Sequence, residues 1–156
     1  MVKVISSRGG FVQVEVKGVA AAAAFIRKKG HDIKDGSDAG VFQAANFVQQ
    51  EVQESIIGRR AEPKSVDTGR LGNSIIVEKI KDEEYKILPE KQFYPGTNTT
   101  TQQVATILEF GTSKIFPRRH FGNTEKRTKE PVRKIIDKEI DLAIKRQLAK
   151  FKKTIF

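Results

Sequence analysis

Phe11-Val12-Gln13-Val14-Glu15-Val16-Lys17 alternates apolar and polar side chains, the two-residue period of a strand with one buried face. Gly18 closes it, and Val19 to Lys29 reads as a short helix stopped by Gly30. His31 to Gly36 is polar and turn-like. Ser37 or Asp38 then caps a second helix, since a short side-chain oxygen accepts from the free N–H groups of a first turn. Val41, Ala45, Val48, Val52 and Ile56 recur at helical spacing, with Gln49, Gln50, Gln53 and Glu54 among them. This predicts an amphipathic helix ending near Gly58, with Pro63 beyond its end.

Ile75 to Lys81 and Tyr85 to Leu88 read as two strands joined by the charged turn Asp82-Glu83-Glu84. Pro95 to Thr101, PGTNTTT, is expected to be a flexible polar loop. A short helix is expected over Gln103 to Phe110, with Val104, Ile107 and Leu108 on one side. Phe116 to Phe121, FPRRHF, reads as an exposed loop of aromatics and arginines. From about Thr124 to Lys153 the stripe Val132, Ile136, Ile140, Ile144, Leu148 and Phe151 predicts a long C-terminal helix. Pro131 marks either its start or a bend. The order of elements predicts an α+β fold in a single domain over 1–156, with a small, mostly antiparallel sheet packed against an amphipathic helix.

Composition narrows the chemistry. Apolar residues make up 38% of the chain, enough for a core, and no apolar run is long enough to span a bilayer. The opening MVKVISSRGG lacks the apolar centre of a signal peptide, and Ala20 to Ala24 soon meets Arg27, Lys28 and Lys29. There are no cysteines and two histidines, so thiolate metal sites and disulfides are excluded, and no cofactor or metal is expected. A phosphate-loop or dinucleotide fingerprint is likewise missing. The net charge of +10 favours polyanionic partners. Lys145, Arg146, Lys150, Lys152 and Lys153 are candidate DNA contacts; equally, they complement the carbonyl pole of a solvated helix end.

Asp67-Thr68-Gly69 is the triplet of aspartic proteases, which need two carboxylates sharing one proton. Arg70 follows directly, and a guanidinium there would hold both carboxylates ionised. No second such triplet exists, so a protease would have to be a dimer. The alternative is a chain corner: Asp67 accepts backbone N–H bonds, Gly69 takes a backbone angle closed to other residues, Leu71 anchors, and Ser74 and Ile75 launch the strand. Ile107-Leu108-Glu109-Phe110-Gly111-Thr112 reads as a second corner, with Leu108 and Phe110 packing, Gly111 turning and Thr112 capping. Glu109 either pairs with Arg70, locking the two corners, or is solvated.

In order along the chain stand Val16-Lys17-Gly18, Pro63 with Thr68-Gly69-Arg70-Leu71 and Ser74-Ile75, Glu109-Phe110-Gly111-Thr112, and Pro117-Arg118-Arg119-His120-Phe121. This set resembles the tail-completion or head–tail joining proteins of long-tailed bacteriophages and related archaeal viruses or proviruses. Departures are His120 in place of a second proline, the PGTNTTT insertion, and wider spacing between Pro63 and Asp67. The resemblance implies a non-enzymatic virion part, made in the host cytoplasm and placed at the head–tail junction or tail end. It implies self-association into a ring, often six-fold, against connector or tail-tube proteins, with genome DNA passing through and no membrane involved. Ring closure needs a head-to-tail interface. Phe116, Pro117, Arg118 and Phe121 are candidates for it, the other reading being packing onto their own sheet. The Tyr94-to-Thr101 loop is expected to order on docking. A sequence-independent nucleic-acid-binding protein is the alternative function, and an aspartic-type protease dimer a third.

Overall fold

A computed structural model describes residues 2–6, 12–17, 31–58 and 69–155 of the chain. Strands β1 (Val2–Ser6) and β2 (Val12–Lys17) come first, then helix α1 (His31–Ile56) and the single turn α2 (Arg70–Asn73). Strands β3 (Ile75–Lys81) and β4 (Glu84–Pro89) follow, then helices α3 (Thr101–Phe110) and α4 (His120–Ile155). The strands form one antiparallel sheet in the order β1-β2-β4-β3. The chain is α+β, as its pattern predicts. The short helix expected over Val19 to Lys29 lies outside the described residues.

The core forms where α1 meets the sheet and α4. Val41, Ala44, Ala45, Val48, Val52 and Ile56 recur every three or four residues on α1, and all are buried. They join Val14, Ile75, Tyr85 and Ile87 from the sheet, Leu71 from α2, Ala105 from α3, and Phe121, Val132 and Ile136 from α4. Each fully buried aliphatic side chain of this kind contributes roughly 1.5–3 kcal/mol. In β3 and β4 the inward set is fixed by register, with Ile75 opposite Pro89 and Val77 opposite Ile87; Tyr85, buried on the same face, stands opposite the exposed Lys79. The turn between them places Glu83 at φ 61°, and a bulge falls between Lys79 and Lys81.

Helices α1 and α4 run antiparallel in close contact. Gly36 faces Ala143, Gly40 faces Ile136 and Glu139, Glu51 meets Arg127 at 3.0 Å, and Ser55 meets His120 at 2.9 Å. A Cβ added at Gly36 would stand 2.3 Å from the Ala143 Cβ, and one at Gly40 would stand 3.1 Å from the Glu139 Cβ. The absent side chains are therefore what allow the backbones to approach. This corrects the expected helix start. His31 to Gly36 is helical and not a turn, and Ser37 and Asp38 lie inside α1 and not at a cap. Glycine ordinarily weakens a helix interior by about 1 kcal/mol; here the packing against α4 offsets that cost.

Asp38 instead ties α1 to the β3–β4 turn. Its carboxylate accepts from Lys79 Nζ at 2.8 Å, Glu83 N–H at 2.8 Å and Tyr85 O–H at 3.1 Å. Lys34 reaches Asp82 of the same turn at 2.7 Å. Burial raises the Asp38 pKa, but the three hydrogen bonds outweigh it and the carboxyl lies below its ordinary value.

At the other end, α4 begins at His120 and runs through Pro131, so the helix does not start at that proline. Helix α3 begins at Thr101, two residues earlier than Gln103, because Thr100 and Gln103 form a capping box, each side chain satisfying the other's backbone N–H. Among the described residues no helix is long and apolar enough to cross a membrane.

The close approach of α1 and α4 makes a direct prediction. Gly36→Ala lowers stability by about 1–3 kcal/mol through overpacking, although alanine is the better helix former. Adding Ala143→Gly recovers part of the loss. Urea titrations of both single variants and the double variant check this; strictly additive costs would show that the two positions do not touch.

Candidate functional site

Helix α4 starts inside the protein, where its first N–H groups need acceptors that water does not supply. Glu109, from the last turn of α3, provides them. Its Oε2 accepts from Phe121 N–H and its Oε1 from Gly122 N–H, each at 2.9 Å. The side chain is buried and sits at the positive pole of the helix, where an anion is stabilised. Burial raises its pKa, while the two N–H donors and the nearby Arg119 pull the other way. Glu109 is thus neither solvated nor paired with Arg70. The Arg70 guanidinium donates instead to the Phe93 carbonyl at 3.4 Å.

The cap fixes the connection between α3 and α4 as a tight, exposed loop. Gly111 takes φ +76°, and a Cβ there would stand 2.7 Å from the Ile115 carbonyl oxygen, so glycine alone fits without strain. Thr112 N–H donates to Ile115 O at 2.8 Å, and Thr112 Oγ1 accepts from the N–H groups of Lys114 and Ile115. Arg118 N–H and Arg119 N–H both donate to Leu108 O. The loop is pinned at both ends and across its middle. It displays Phe110, Ile115 and Phe116, the last 91% exposed.

Two expectations change here. Phe110 does not pack inward; it is 53% exposed, while Leu108 turns toward the core. Phe121 is no interface residue, being 1% exposed within the core, because α4 begins one residue before it. Phe116 and Pro117 are exposed and Arg118 half-buried, so the candidate surface contracts to the loop itself.

At the first corner, Asp67 and Thr68 lie outside the described residues. The rest of it is described: Gly69 is left-handed at φ 69°, Leu71 is buried, and the Ser74 hydroxyl donates to Leu71 O at 2.8 Å. Ser74 O in turn accepts from Glu90 N–H at 2.7 Å. Beside this corner lies a groove of about 530 Å³, lined by Ile56, Ile57, Leu71, Tyr94, Thr97 and Val104 among others. One wall is the 94–99 segment, expected to be flexible. It is closed by hydrogen bonds: Tyr94 N–H to Thr99 O, Thr97 N–H to Tyr94 O, and Thr97 O–H to Tyr94 O, all at 3.0–3.1 Å. Threonine hydroxyls that bond their own neighbours give such a turn internal order.

Lys145 and Arg146 are exposed on α4; the side chains of Lys150, Lys152 and Lys153 lie outside the described residues. Among the described residues no group of three His, Asp or Glu side chains is placed to hold a metal ion.

Sequence reasoning passed over His120 and Ser55. The His120 Nδ1 lies 2.9 Å from Ser55 Oγ, and both residues are buried. Burial chiefly, then the charge of Arg118, pushes the His120 pKa from 6.5 down to about 4. The distance suits a nucleophile and base, but neither residue lines the groove, and burial opposes the cationic histidine that base catalysis requires. The pair is an internal polar link between α1 and α4. A signal for it existed: the C-terminal stripe continues backward from Val132 through Thr128, Thr124 and Phe121, all buried, which places His120 at the helix start.

No family model, curated protein or solved structure matches this chain.

Two outcomes are expected. Glu109→Gln removes one acceptor and sets an amide N–H₂ against a helix N–H, costing about 1–3 kcal/mol; thermal melts at pH 7 check it, and an unchanged Tm would show that the cap carries no stability. His120 acts through pH. The unfolded chain takes up its proton near pH 6.5 and the folded chain only near pH 4. The stability supplied by the neutral ring is therefore present above pH 6.5 and declines as pH falls toward 4. His120→Asn flattens this decline, which denaturant titrations at pH 8, 6 and 5 would detect as a smaller loss than in the parent.

Proposed function

We propose that the chain is a structural subunit of the head–tail junction or tail end of a long-tailed phage, or of a related archaeal virus or provirus, and that it acts as a ring element and not as an enzyme. The observation that carries this reading is how the motif residues are used. Glu109, Gly111, Thr112 and Ser74 spend their polar groups and backbone freedom on holding corners in place. What they leave facing outward is the apolar loop with Phe110, Ile115 and Phe116. Residues arranged in this way serve contact. A catalytic role would need their polar groups directed at a cleft.

The charge supports the same reading. A net charge of +10, with Lys145 and Arg146 exposed on α4, gives sequence-independent attraction to phosphates lining or crossing a channel. It also supports the second reading, a stand-alone nucleic-acid-binding protein.

One experiment separates them. The purified protein is expected to be monomeric or weakly associated alone, and to form rings on tail tubes or head connectors, seen by co-sedimentation and negative-stain imaging. Titration with double-stranded DNA at low and high salt forms the second arm. Tight, steeply salt-dependent binding to DNA without association with any virion part would replace the assembly reading by the nucleic-acid one.

A further inference from the structure

Gly122, Lys126, Lys129 and Arg133 follow one another on α4 at spacings of four, three and four residues, so they share one face of that helix. The three cations are exposed and span about 10 Å of the axis at 1.5 Å per residue. Gly122 fixes where this face begins. Its N–H donates to Glu109 Oε1 at 2.9 Å, and a Cβ on it would stand 3.0 Å from the same oxygen. Glu109 is followed directly by Phe110 and the exposed loop. The row of cations therefore starts where α3 ends and the aromatic loop departs.

The loop carries charge of the same sign. Every ionisable side chain among residues 110–119 is basic; Lys114 and Arg119 are exposed and Arg118 is half-buried. The acids nearest the row along α4 are the half-buried Glu125, the exposed Glu130, and Asp137, which lies 3.8 Å from Arg133 Nε. Phe116, 91% exposed, stands on a loop tied by its own hydrogen bonds, so presenting its ring costs little further ordering. A line of cations leading to a bare aromatic ring answers the two parts of an unpaired nucleic-acid strand, its phosphates and its base faces. A duplex offers the phosphates but keeps its base faces stacked. A lipid surface is met by a protruding tip, whereas this row runs along the side of a helix, as a chain of phosphates does.

We infer that the Phe116 loop and the Lys126–Lys129–Arg133 face of α4 form a binding site for single-stranded nucleic acid, with phosphates along the cations and a base stacked on Phe116. The site is separate from Lys145 and Arg146, which lie about 18 Å or more beyond Arg133 along the helix axis. The inference goes beyond the assembly reading and does not depend on it.

Anisotropy of a fluorescein-labelled oligothymidylate of about fifteen nucleotides, titrated across a range of salt, tests it. The single strand is expected to bind more tightly than a duplex of the same length. Phe116→Ala weakens single-strand binding about tenfold at fixed salt and leaves the salt slope unchanged, while Phe116→Trp, which keeps a stacking ring, retains the affinity. The double variant Lys126→Ala/Lys129→Ala lowers the slope of log K against log salt by about 1.4, or ~0.7 per cation. Lys145→Ala/Arg146→Ala is the control and leaves the slope unchanged. Equal melting temperatures establish that these surface variants are folded. Duplex binding as tight as single-strand binding, an affinity unaffected by Phe116→Ala, or a control pair that lowers the slope as much as the α4 pair overturns the inference. Vesicles of phosphatidylserine and phosphatidylcholine form the last arm. Vesicle binding that Phe116→Ala abolishes, with no binding of the oligonucleotide, also overturns it and reassigns the loop to a lipid surface.

Discussion

The separation of α1 and α4 is the constraint on which the other distances depend. Gly36 and Gly40 offer bare backbone, and Ala143 and Ile136 occupy the space that side chains would otherwise hold. Close-packed interiors do not tolerate an extra methyl without movement. The antiparallel contact therefore fixes the axial position of α4, and with it the place where that helix begins. His120 comes to rest on Ser55, and Phe121 enters the core. The sheet is held to α1 in turn by Asp38, which gathers Lys79, Glu83 and Tyr85.

A helix that starts inside the protein creates a demand for acceptors. Glu109 meets it from the neighbouring helix, and this decides the path of the chain between α3 and α4. The connection has too few residues to wander. Gly111 turns it, Thr112 closes its tip, and Leu108 O holds its far end through two N–H donors. The exposed apolar loop thus follows from the helix-start problem: satisfying buried backbone groups at one place commits a nearby segment to the surface.

The functional reading grows from the same economy of polar groups. The buried polar groups at the two corners and at the start of α4 are satisfied within the fold, the Ser55–His120 pair included. The surface left available combines a rigid aromatic loop, an apolar groove and an excess of cations. Such a surface suits repeated protein contact with a polyanion nearby. The assembly role proposed above rests on this distribution of surface chemistry and on the motif order, which share the residues of one loop.

Local pattern alone determined several elements. The β3–β4 hairpin, the apolar face of α1 from Val41 to Ile56, the Val132-to-Ile136 stripe of α4, and α3 were legible because each follows its own short period. The first strand, Val2–Ser6, is not expected from its pattern, since the adjacent Val4 and Ile5 break the two-residue period. What the pattern misread was the first turns of α1 and α4, and for one reason. Gly36 looks like a turn residue until a second helix lies against it, and His120 and Phe121 look like a loop until Glu109 caps them. The groove beside α2 was illegible in the same way, since its walls come from four separate segments. Spacing along the chain records which side chains share a face. Only the folded chain decides which backbones approach closely enough to need a glycine, and which buried N–H groups need a distant carboxylate, because both are contacts between residues far apart in sequence.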